Sequence, residues 1–165
     1  MRFLGASLGL ALVCVYAVLG AFTINDWAVV AASGVPLERA RAAMTAEGQP
    51  YSAAPGVAFA VAGVLLGAAW AAVTGAVRAI PGWGCSAGWC ALLMLGSPAF
   101  FAAGFSNMMS VGDTFVDWRP DSARAIERLF HLSSAIAGIL LLGILAATAG
   151  RALLRARRRA PGAPS

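Results

Sequence analysis

Long apolar runs alternate with short polar stretches along this chain, and the runs exceed what the strands or helices of a soluble core require. They cover roughly residues 3–22, 56–77, 86–109 and 129–150, and none contains Asp, Glu, Lys or Arg. About 20 such residues cross the hydrocarbon of a bilayer as a helix. Helix is the required form, because backbone groups in lipid must be satisfied within the segment itself. The pattern therefore predicts an all-α integral membrane four-helix bundle within residues 1–150. Residues 151–165 form a basic tail whose end, 161–165, is expected to be disordered.

Two of the intervening stretches carry helix signals of their own. Ser33, Gly34 and Pro36 precede Leu37, Ala40 and Met44, which share one face, and Gly48 offers a stop. A short amphipathic helix is expected there, lying on the outer surface or capping the bundle. Beyond Pro120, the side chains of Asp121 and Ser122 can cap a second helical stretch carrying Ile126, Leu129 and Phe130 on one side. That stretch is expected to run into the fourth span.

Charge gives the spans a direction. Arg2, Arg78, Arg151, Arg155, Arg157, Arg158 and Arg159 flank them on one side, where there is no acid. Asp26, Glu38, Glu47, Asp113, Asp117, Asp121 and Glu127 all lie on the other side, with the remaining five Arg. By the positive-inside rule both ends are cytoplasmic and the two longer loops face outward. The first span lacks an A-x-A cleavage site and is longer than a signal-peptide core, so it is expected to be retained. Leu12 and Val13 before Cys14 also disfavour lipoprotein processing. Phe22, Asp26, Trp27, Tyr51, Phe115, Asp117 and Trp118 form the expected outer interface, with Phe3 and Trp83 at the inner one.

Composition narrows the setting. The chain is 60% hydrophobic and 12% charged, against about 25% charged residues in soluble domains. All twelve basic residues are Arg, which together with abundant Ala and Gly suggests a GC-rich bacterial genome and a cytoplasmic-membrane, multi-pass location. Arg151, Arg155, Arg157, Arg158 and Arg159 suit an anionic leaflet, at about 1 kcal/mol each. They offer too small a surface for nucleic acid.

Lipid tails are as apolar as Leu, so helix association in a bilayer depends on close approach through small residues. Gly5 with Gly9, Gly63 with Gly67, Ala71 with Gly75, and Ser134 with Gly138 have that four-residue spacing, although a chain so rich in Ala and Gly also produces it by chance. Pro98 removes a backbone hydrogen bond inside the third span and is expected to bend it. The segment Thr23-Ile24-Asn25-Asp26-Trp27 is echoed by Thr114-Phe115-Val116-Asp117-Trp118, which would suit a duplicated helical hairpin.

Candidate chemistry is sparse. Cys85 and Cys90 lie about 140° apart on a helix and are poorly placed to bridge. His131 is the lone histidine. With Asp113, Asp117, Met108 and Met109 it could form an extracytoplasmic metal or pH-sensing site, although an interfacial His also bonds simply to a carbonyl or water. No phosphate-binding loop or H-E-x-x-H occurs, and no cofactor is implied. The apolar runs hold none of the charges that ion-coupled carriers use.

In span number the chain looks like several four-helix membrane families, but the residues that define them are missing. It lacks the tryptophan and cysteine signature of claudins, the outer-face C-x-x-C of vitamin K epoxide reductases and the embedded Glu of small multidrug exporters. The expectation is a non-enzymatic accessory or interaction subunit whose partners are lipid, another membrane protein or itself. An oligomeric transport or channel component is the alternative, and a sensor or enzyme centred on His131 is the third reading.

Overall fold

The structure is a computed structural model that describes residues 2–159. Among the described residues there is helix and no strand. Helix α1, Arg2–Phe22, passes through a π-helical turn, Thr23–Trp27, into α2, Ala28–Ser33. Then follow α3, Leu37–Ala46, α4, Ala54–Ala76, α5, Gly82–Thr114, and α6, Pro120–Arg159. Four helical stretches are long and apolar enough to cross a membrane: Leu4–Ser33, Ala54–Ala76, Gly82–Thr114 and Pro120–Arg158. The disorder expected at 161–165 concerns residues outside those described, as do the side chains of Arg2, Phe3 and Arg159.

Three of these helices outrun their apolar runs. At 1.5 Å per residue the 40-residue α6 is about 60 Å long, twice the ~30 Å of bilayer hydrocarbon. Only α4, with 23 residues, is close to that thickness. The first apolar run ends at Phe22, yet helix continues to Ser33 because no Gly or Pro interrupts it before Gly34. Its polar residues find partners: Thr23 Oγ1 donates to the Leu19 carbonyl at 2.9 Å, and Asn25 Nδ2 to the Ala53 carbonyl at 3.0 Å. Gly34, at φ +70°, ends α2 with its N–H on Val30 O at 2.9 Å.

The chain then folds back over the ends of α5 and α6. Ala40 and Met44 of α3 are fully buried in a cluster with Ala28, Val29, Ala32, Val111 and Ala123. Leu37, Val35, Tyr51, Met108 and Phe115 pack around it. Full burial of a side chain such as Met44 contributes about 1.5–3 kcal/mol where the alternative is water. The Arg119 N–H donates to Ala32 O at 2.7 Å and ties the α5–α6 connection to the end of α2. We refer to this unit as the cap.

Along the spans a different device operates, in which glycine on one helix receives a side chain from the next. A Cβ on Gly63 would lie 2.6 Å from the Cβ of Ala17, and one on Gly67 would lie 3.2 Å from both Leu10 and Val13, so α1 and α4 meet almost backbone to backbone. Aromatic rings fill the other notches: Trp89 against Gly9, Phe59 against Gly20, Trp70 against Gly88 and Tyr16 against Gly96. Gly5 faces open space, and Gly138 meets Met94 at an ordinary 3.4 Å.

The two T-x-x-D-W segments differ in conformation. The first is the π turn, with Thr23, Ile24 and Asn25 buried. In the second, Thr114 is the last residue of α5, and the chain leaves the helix at Phe115.

Candidate functional site

Two groups of polar side chains lie in the described bundle. The first is in the cap. The carbonyl of Asn25 lies in the π turn, where the widened helix leaves it available to other donors. The Tyr51 hydroxyl has one proton to give, to Asn25 O at 3.0 Å or Asp26 Oδ1 at 3.2 Å, and it accepts from Arg41 Nη2 at 2.8 Å. The Arg41 guanidinium lies 4.3 Å from the Tyr51 ring centroid and 3.5 Å from Asp26 Oδ1. Burial pushes the Tyr51 phenol above its usual range, partly offset by Arg41, while the bond to Tyr51 raises Arg41.

Next to it, the Asn107 side chain grips the backbone of Ser52 twice, accepting from its N–H at 3.1 Å and donating to its carbonyl at 2.9 Å. Ser110 donates to Pro50 O at 2.9 Å. The extended 49–53 segment is thus held on both sides by side chains that satisfy its backbone. Asn25 Oδ1 has no hydrogen-bond partner among the described residues, and it lies against the bare α-carbon of Gly56, where a Cβ would collide with it.

The second group follows the seam of α6. Tyr16 donates to Ser134 Oγ at 3.0 Å, and Ser134 donates to Leu93 O at 2.7 Å. Above it the rings of Phe100 and Phe130 stack at 4.9 Å, and Tyr16 meets Phe130 edge-on at 5.3 Å. His131 Nδ1 and Ser97 Oγ are 2.6 Å apart, with the imidazole edge-on to Phe100.

A hydroxyl bonded to an imidazole invites a nucleophile reading. However, Ser97 lies inside α5, where the neighbouring N–H groups are engaged in the helix and Pro98 has none. That leaves no backbone donor beside Ser97 for an oxyanion.

The structure does not bring Asp113 and Asp117 to His131. Ser97, the partner of His131, precedes Asp113 by sixteen residues of continuous helix, about 24 Å. Among the described residues no group of three His, Cys, Asp or Glu side chains could hold a metal. Of the residues expected around His131, only Met108 shares a cavity with it. Asp113, Asp117, Trp27 and Trp118 are exposed, and Asp26 is half-buried beneath Arg41. Cys14, Cys85 and Cys90 are free thiols. Arg151, Arg155, Arg157 and Arg158 project from the end of α6 into the open.

Several residues that organise these groups carry no sign of it in the sequence: Tyr16, Ser97, Asn107 and the Arg41–Tyr51 pair; Glu127 counts there only as one of the seven acids. Only for Glu127 was a local signal present. It precedes His131 by four residues, one helical turn, and therefore shares its face. Glu127 lies, as expected for the stretch after Pro120, on the helix that runs into the fourth span, half-buried beside α5.

No protein family, curated protein or solved structure matches this chain. The class defined by its fold is that of an all-helical, multi-pass membrane chain with four helices able to cross the bilayer.

Proposed function

We propose that this chain is a non-enzymatic accessory subunit of a bacterial cytoplasmic membrane, with both termini in the cytoplasm and the cap, including the amphipathic α3, on the outer face. The observation that carries the reading is the use made of its polar side chains. Asn25, Tyr51, Asn107, Ser110 and Ser134 are each bonded to the backbone of another segment, and Tyr16 is bonded to Ser134. They fasten helices and the extended 49–53 segment together, in place of lining a conduit or meeting at a reactive centre. A rigid anchored cap suits a protein that presents a surface to a neighbour. Arginine asymmetry supports the orientation.

The test is gentle extraction and affinity purification from native membranes. A stoichiometric heterologous membrane protein that stays bound supports the reading. A homo-oligomer that conducts ions or solutes in liposomes replaces it with the transport reading.

A further inference from the structure

Between α5 and α6 a groove runs from the connection at Trp118 and Pro120 down to His131. Two adjoining cavities make it up. The outer, about 260 Å³, is lined by Phe101, Phe105, Met108, Trp118, Arg124 and Glu127 among others. The inner, about 70 Å³, shares Phe101, Phe105, Met108 and Glu127 and ends on Phe100 and His131. Phe101 and Phe105 are more than half exposed, so the groove opens sideways along the apolar face of the helices.

Its charged groups all lie on α6. On α6, Arg124 Nη1 is bound to Asp121 Oδ1 at 2.8 Å, and His131 holds Ser97 at the deep end. Glu127, between them, is within electrostatic reach of His131 and Arg124 but forms no ion pair and no hydrogen bond among the described residues. On α5, residues 98–109 carry no charge. A half-buried carboxylate without a partner is unfavourable, and the walls beside it are aromatic faces and methionine, which attract cations and polarisable groups.

We propose that this groove binds a lipophilic organic monocation, with its charge at Glu127 and its apolar body on Phe101, Phe105, Met108 and Trp118. A phosphate or carboxylate amphiphile would instead meet the unpaired Glu127. The inference goes beyond the accessory role and stands whether or not that role holds.

The test uses tritiated tetraphenylphosphonium and the full-length chain in phosphatidylcholine nanodiscs, with tetraphenylborate, an anion of the same shape, as competitor. Saturable binding of the cation is expected, and the borate should not displace it. Glu127→Gln should weaken binding by at least about tenfold, the weight of one charge-assisted contact. Glu127→Asp should retain part of it, and Glu38→Gln, on the exposed side of α3, should leave it unchanged. Monodispersity of each variant on gel filtration separates loss of the site from loss of fold. Absence of saturable cation binding to the wild type, equal competition by the borate, or a folded Glu127→Gln variant that binds like the wild type would overturn the proposal.

Discussion

Gly63 and Gly5 are the same residue type in the same small-xxx-small spacing, yet they occupy opposite situations. A methyl group on Gly63 would press within 2.6 Å of the Ala17 Cβ, and neither helix has a flexible side chain there to give way. Gly63→Ala should therefore force α1 and α4 apart at a cost of about 1–3 kcal/mol, read as a lower melting midpoint in mild detergent. Gly5→Ala, facing open space, should leave the midpoint unchanged. Tyr51 supports a second expectation. Its phenol is held above the usual tyrosine range by burial, so the stability it contributes is present below about pH 10 and is lost as pH rises past its folded value. Tyr51→Phe should lower stability by about 1 kcal/mol at neutral pH and make the alkaline fall smaller, as thermal melts across pH 8 to 12 would show. The sequence favours Gly63 with Gly67 as a contact within the bundle, but it names neither Ala17 opposite Gly63 nor the bonds of Tyr51. Spacing shows which glycines share a face, while the partner across the interface is set by chain segments dozens of residues away.

At the level of elements the cap and the spans are held by different physics. The cap buries Met44, Ala40 and Val111 against α2 and α6, and where water is the alternative that burial is the main stabilising force. Met44→Ala should cost about 2–5 kcal/mol, and hydrogen exchange should speed up in α3 before it does in α4 or α5. The α3 helix was legible because Pro36, Gly48 and the Leu37, Ala40 and Met44 face are local signals. The continuation of α1 to Ser33 was not. Thr23, Asn25 and Asp26 read as the start of a loop, and the partners of Asn25 and Asp26, Ala53 and Tyr51, become neighbours only when the chain returns. Glu127, by contrast, reads as helical from the start signals at Pro120, Asp121 and Ser122, and it lies on α6.

For the whole molecule, four runs of uncharged residues were enough to reveal four potential crossings, since length and composition alone decide that property. Orientation rests on a separate argument, that of Arg placement. Under the proposed orientation, reporter enzymes fused after Arg158 should be active only in the cytoplasm, and a reporter inserted at Gly48 only outside it. Neutralising Arg151, Arg155, Arg157 and Arg158 to Gln should weaken that preference and yield mixed topologies. The aromatic notches between spans, Trp89 on Gly9 and Trp70 on Gly88, lay beyond sequence reading because each joins a large residue to a bare one, a pairing that no periodicity records.

The widened turn at Thr23–Trp27 sets the angular phase between two working faces of a single rod. Below it α1 presents Val13 and Ala17 to α4, and above it α2 presents Ala28, Val29 and Ala32 to the cap. The turn takes up one residue more than regular α-helix uses for the same rotation, so removing one there should leave both faces in phase. Inserting one Ala after Trp27 would instead swing everything beyond by about 100°. Val29 would be carried off its seat while the part embedded in lipid stayed as it was. Such an insertion should yield a protein that inserts normally and carries a detached, protease-sensitive crown.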